Sequence, residues 1–205
     1  MNTTKSLTIG TLFVAAIAAP SFAHSSDLLT TIVEQILAQT FKVKPAEVVN
    51  MTTTSGLDVY DTAPIYSTAY YSHQTPEAIW TLRRQGWGWH RIWTSFGLSE
   101  KRYVDLSNAG AFDRDRIWGS ISHDRYGMPT KDIYEIQRQG GTYRDFIPIS
   151  IIYRQAKVQP RVIYLRYKAN PNWQTVASKY RVDMSKHTNY AVSRSWNGPV
   201  RTIKV

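Results

Sequence analysis

The sequence predicts a mostly α fold of short helices arranged as a tandem duplication, and three observations carry that expectation. Apolar residues recur at three and four along several segments, as on one face of a helix. The chain matches itself, without gaps, at a shift of 84 residues. Strand-like runs are few, at 147–153 and 200–205. They make a mixed α+β fold with short C-terminal strands the runner-up.

The N-terminal segment reads as an address. Lys5 supplies a short basic start, residues 7–19 form an almost unbroken apolar and small-residue run, and Ser21-Phe22-Ala23 follows. That order is the pattern of a cleavable export signal. The run falls short of the ~20 residues that span a bilayer, and no later segment is long and apolar enough. The expectation is a signal peptide over 1–23, a mature chain starting near His24, no transmembrane span, and a place in the periplasm or outside the cell.

Leu28, Leu29, Ile32, Val33, Ile36 and Leu37 then lie on one helical stripe, with Thr31, Glu34 and Gln35 opposite. Past this point the duplication organises the chain. Pro45 meets Pro129, Pro64 meets Pro148 and Pro76 meets Pro160; Gly56, Asp61, Ile65, Ile79 and Trp89 meet Gly140, Asp145, Ile149, Ile163 and Trp173. A fainter repeat aligns Gly56, Gly86, Gly140 and Asn170, each closing a helical unit. Gly and then Asn best tolerate the left-handed cap such an end requires. Thr75-Pro76-Glu77 marks one helix start, with a capping hydroxyl, a first-turn proline and an acid at the positive end of the dipole. Trp89, Ile92, Trp93 and Phe96 give the next stripe. The inserted stretch at 97–120, with Asn108-Ala109-Gly110, is the expected boundary between a first half at 24–110 and a second at 111–205, related by pseudo-twofold symmetry.

Residue chemistry argues against catalysis. The absence of cysteine removes disulfides, thiolate metal sites and thiol nucleophiles together. The five histidines form no HExxH pair, and no P-loop, G-x-S-x-G elbow or dinucleotide fingerprint occurs. His123-Asp124 is read as surface, and Asp113-Arg114-Asp115 lacks the glycine and glutamate of a calcium loop. The repeated Asp61 and Asp145 each precede a proline by three residues and read as cap or turn residues. No catalytic residue, metal site or cofactor is expected.

Charge is where the sequence departs from average. The net charge is +10; residues 24–62 carry −3, whereas residues 150–205 carry eleven Lys and Arg against the single acid Asp183. Arg154, Lys157, Arg161, Arg166, Lys168, Lys179 and Arg181 are the candidate binding cations, interleaved with Tyr153, Tyr164, Tyr167, Trp173 and Tyr180. On a continuous helix Arg154, Lys157, Arg161 and Lys168 would share one sector, although Pro160 interrupts that stripe. Trp80, Trp89, Tyr134, Tyr143, Tyr164 and Trp173 occupy equivalent positions and read as shared core. Trp87 has no counterpart and is the candidate exposed binding ring.

Two local resemblances add to this. Gly86, Trp89, Ile92, Phe96 and Leu98 resemble the later helices of a helix-turn-helix unit, over some 23 residues from Pro76. The segment from Trp173 to Val182 resembles the helical part of a LysM peptidoglycan-binding module, with Asn170-Pro171 where that family has Gly-Asp and a helix start at Pro160 where it has its first strand. The functional expectation is an exported, non-catalytic helical-repeat protein that binds an anionic cell-envelope or extracellular polymer, or lipid headgroups, through its basic half. A LysM-like peptidoglycan module and a nucleic-acid binder using rings beside cations are the alternatives.

Overall fold

The computed structural model describes residues 28–98 and 114–189. The expected export signal at 1–23, the strand candidate 200–205 and the expected boundary at Asn108-Ala109-Gly110 lie outside them. Helix accounts for 77% of the described residues, and no strand occurs among them. The fold is mostly α.

Among the described residues ten α-helices occur, with two 3-10 turns. The first half holds α1 (Leu28–Phe41), α2 (Pro45–Ser55), a 3-10 turn (Val59–Thr62), α3 (Ala63–Ser72), α4 (Pro76–Arg84) and α5 (Trp89–Ser95). The second holds α6 (Arg114–Tyr126), α7 (Thr130–Arg138), α8 (Tyr143–Ala156), α9 (Pro160–Ala169), α10 (Trp173–Lys179) and a closing 3-10 turn (Met184–Asn189). The helix starts follow the local chemistry. Thr75 Oγ1 accepts the Ala78 N–H at 3.2 Å ahead of Pro76, and Asn172 Oδ1 accepts the Thr175 N–H at 2.8 Å ahead of α10. Proline stands in the first turn of α2, α3, α4 and α9, where its missing N–H leaves no bond unmade.

Helix ends recur at the 84-residue shift. The 3-10 turn and α3 together span 59–72 and α8 spans 143–156, while α5 and α10 span 89–95 and 173–179. The helix pairings recur too. In the first half α1 packs on α2 and α3, α4 packs on α2 and α3, and α5 packs on α4. The same five pairings join α6 to α7 and α8, α9 to α7 and α8, and α10 to α9. Residue environments agree less uniformly. Ile65 and Ile149 are both buried, as are Ile79 and Ile163, yet Val49 is exposed where Ile133 is buried.

Two local expectations are corrected. Asn170 does not adopt the left-handed cap, and sits in extended backbone at φ −150°. Pro171 explains this, because a residue preceding proline is pushed out of helical conformations by the ring; Gly86, with Trp87 after it, keeps φ +83°. Residues 147–153 are helix, inside α8, although rich in isoleucine. Phe146 through Ile152 are all buried, so the middle of α8 is enclosed on every side, as in a central helix. Burial there outweighs a propensity penalty of a few tenths of a kcal/mol per β-branched residue.

At the start of α8, Asp145 Oδ2 accepts the Thr142 N–H at 2.8 Å and the Thr142 hydroxyl at 3.3 Å. Burial raises the Asp145 pKa above its ordinary 3.8, opposed by those two hydrogen bonds. The folded chain therefore holds this proton more tightly than the unfolded chain. The contribution of the carboxyl to stability is largest below 3.8 and is lost as pH rises through the raised value. Asp145→Asn keeps an acceptor without the charge. Wild type is expected to lose stability relative to this variant as pH rises above about 4, measured as urea midpoints; the opposite slope would contradict the assignment.

One hydrophobic cluster draws on both halves, centred on α1, α3, α6 and α8. Trp118 is fully buried, its Nε1 donates to the Tyr60 carbonyl at 3.1 Å, and its ring lies 5.1 Å from that of Tyr60. The buried Arg125 donates to Gln39 Oε1, tying α6 to α1.

Candidate polyanion-binding face

The seven candidate cations lie on α8, α9 and α10 or in the turns between and just after them, and all are exposed. They do not form a single helical stripe. α8 ends at Ala156, Lys157 takes the left-handed conformation at φ +58°, and Pro160 starts a new helix. Arg154 thus belongs to the end of α8, Lys157 to a turn, Arg161, Arg166 and Lys168 to α9, Lys179 to the last turn of α10, and Arg181 to the residue pair after it. What holds them apart is the Lys157 turn, which redirects the chain between the two helices.

Local partners fix several of these side chains. Lys168 Nζ donates to the Gln139 carbonyl at 3.1 Å and lies over the Tyr164 ring. The Arg166 guanidinium lies over Tyr180 at 5.9 Å. Tyr167 and Trp173 stack face to face at 3.9 Å with ring planes 1° apart, and burial raises the pKa of the Tyr167 and Tyr164 hydroxyls. No acid occurs between Asp145 and Asp183. Lys157, Arg161, Arg166, Lys168, Lys179 and Arg181 make no ion pair among the described residues. Glu135 on α7 comes nearest in effect: its carboxyl is held below the usual range first by the Gln139 hydrogen bond, then by the positive charges of Arg138 and Arg161.

The aromatic residues divide differently from the expectation. Tyr164 and Trp173 are buried; Trp80, Trp89 and Tyr143 are half-buried against the core; Tyr134 is 49% exposed. Trp87 is not a free ring. It is half-buried against the core, and the Arg91 guanidinium lies 3.8 Å over it. The Gly86 turn folds this residue back: its N–H donates to the Leu82 carbonyl at 3.1 Å, and its own carbonyl accepts from Arg83. In the basic half, the rings that would stack nucleobases are used internally, Trp173 by Tyr167 and Tyr180 by Arg166.

A second charged cluster joins the halves. Asp61 accepts from Arg114, from the Tyr143 hydroxyl at 2.9 Å and from Arg144 at 3.5 Å, while Arg144 also pairs with Asp58 at 3.1 Å. These neighbours neutralise Asp61, which makes it a structural tie between its 3-10 turn and α6 and α8. His123 Nδ1 sits 2.9 Å from the Met128 carbonyl. Among the described residues no three His, Asp or Glu side chains are grouped to hold a metal ion.

Sequence reasoning missed one feature of this face. Val162 and Leu165 are 44% and 46% exposed at the middle of the outer side of α9. The signal was legible at the 84-residue shift, where their counterparts on α4 are Ala78 and Thr81. No protein-family model, curated protein or solved structure matches the chain.

Proposed function

We propose that the chain is an exported, non-catalytic helical protein that binds an anionic cell-envelope or extracellular polymer through α8, α9 and α10. One observation carries the reading: six exposed cations from Lys157 to Arg181 make no ion pair among the described residues, in a stretch without a single acid. Outside that stretch Asp58 and Asp61 pair with Arg114 and Arg144, and Glu135 pairs with Arg138. A uniform field of this kind attracts polyanions. The N-terminal pattern supports export, and the recurring helix ends and pairings support descent of the halves from one duplicated unit. Covered ring faces count against a base-stacking platform. The LysM resemblance is weakened by helix α9, which stands where that module has a strand.

The experiment is retention of the purified protein on peptidoglycan, lipopolysaccharide and single-stranded DNA at two salt concentrations. Retention on an anionic envelope polymer is expected to fall by about a thousandfold in affinity between about 50 and 200 mM salt if all six cations contribute, because each neutralised anion releases a counterion. Retention on peptidoglycan insensitive to salt would favour the LysM-like reading, and preference for DNA the nucleic-acid reading. Binding to none of them would refute the proposal. Sequencing the same preparation is expected to give an N terminus at or near His24, and an intact Met1 would remove the export element.

A further inference from the structure

We infer that the outer face of α9 docks on an anionic phospholipid surface, with Val162 and Leu165 inserted among the headgroups and Arg161, Lys168 and Arg166 on their phosphates. The inference rests on the polyanion reading and narrows its ligand to lipid.

The placement of residues on α9 carries it. Ile163 and Tyr164 are buried and fix the inward side. At about 100° per residue, Val162, Leu165 and Ala169 then fall together at the middle of the outward side, and all three are exposed. Arg161 and Lys168, seven residues apart, flank that strip on the side of α7, where Lys168 meets the Gln139 carbonyl. Arg166 flanks it on the side of Tyr180 and α10. An apolar strip with cations along both borders matches the depth profile of an anionic bilayer surface. Alkyl groups enter the headgroup–acyl boundary, and long basic side chains reach back to the phosphates. A hydrophilic polyanion would use the cations and leave the strip in water.

The chain contains its own control. At the 84-residue shift α4 has the same helix bounds to within a residue and packs on its neighbours in the same way as α9. Its corresponding positions are Glu77, the half-buried Ala78 and Thr81, where α9 has Arg161, Val162 and Leu165. The scaffold tolerates smaller and more polar residues there, so the apolar strip and the Arg161 and Arg166 beside it are a property of α9 and not of the fold, whereas the cation at Lys168 has a counterpart in Arg84. Of the four large hydrophobic residues strongly exposed among the described residues, Val162 and Leu165 sit on α9 and Tyr134 on the adjoining α7.

The test uses protein purified after expression of the full chain, in the processed form the cell leaves. It is sedimented with vesicles of phosphatidylglycerol mixed with phosphatidylcholine, and with vesicles of phosphatidylcholine alone. Binding is expected to the first and not the second. V162A/L165T, which installs the α4 residues, is expected to weaken that binding roughly tenfold to a hundredfold through lost alkyl insertion. The same variant should leave retention on single-stranded DNA, a polyanion without alkyl chains, within about twofold, since no cation is touched. Circular dichroism checks its helicity, and Leu165→Thr alone replaces it should the pair not fold. Vesicle binding by the variant equal to wild type would overturn the inference, as would failure of the wild type to bind anionic vesicles while it retains the polymers; either leaves the polymer reading intact. Failure of the wild type on vesicles and polymers alike would remove both.

Discussion

Trp118→Ala is expected to destabilise the protein by about 3–5 kcal/mol, the range for truncating a large aromatic in a packed core. Trp118 is fully buried, and its neighbours come from both halves. Tyr60 from the first half lies against its ring, and the Tyr60 carbonyl accepts its indole N–H. Losing that donor leaves a carbonyl in an apolar setting, which adds about 1–3 kcal/mol where water does not enter. Domains of this size are stable by roughly 5–15 kcal/mol, so the variant should lose a substantial part of its stability. At about 2–4 °C per kcal/mol, its melting midpoint should drop by roughly 6–20 °C. Trp118→Phe separates the two contributions, because it keeps most of the ring and loses the donor; its cost should fall between wild type and Trp118→Ala. Denaturation followed by far-ultraviolet circular dichroism checks both. A loss below about 1 kcal/mol for the alanine variant would show that the two halves do not depend on this contact.

Helix ends were legible wherever local chemistry alone decides them. Thr75-Pro76 starts α4, the first stripe belongs to α1, and Gly56, Gly86 and Gly140 take positive φ after α2, α4 and α7. At Asn170 the repeat pattern points to a left-handed cap, and the proline that follows overrides it. Residues 147–153 are ambiguous in sequence because a short apolar run has the same composition in a buried helix and in a strand. Of the candidate face, the sequence carried the cations and their lack of acids. It also carried the break at Pro160 and, at the 84-residue shift, Val162 and Leu165 in place of Ala78 and Thr81; that the strip faces outward depends on which side of α9 is buried. The Asp61–Arg114 pair, the Trp118–Tyr60 contact and the Arg125–Gln39 bond are separated by 53, 58 and 86 residues. Contacts at such separations leave no local pattern to read.

Trp89 and Trp173 stand 84 residues apart in equivalent places at the head of α5 and α10, and the sequence treats them alike. Their surroundings separate them. Trp173 is 8% exposed and its face is closed by Tyr167 at 3.9 Å. Trp89 is half-buried, and the residue in the position equivalent to Tyr167 is Arg83, whose guanidinium lies 4.6 Å over the ring. A stacked ring pair excludes water over the whole indole face and is worth about 0.5–1.5 kcal/mol beyond the area it buries. An arginine cover at a partly exposed site contributes about 0.5–1 kcal/mol and leaves the edges wet. Trp173→Ala is therefore expected to cost about 3 kcal/mol, and Trp89→Ala about half of that, scaling with the apolar area each removes from water. The covering residues should follow the same order, with Tyr167→Ala more costly than Arg83→Ala. Urea denaturation of the four variants checks the ranking. Equal costs at Trp89 and Trp173 would mean that the two halves are more alike in packing than their covering residues indicate. A larger cost at Trp89 would reverse the argument.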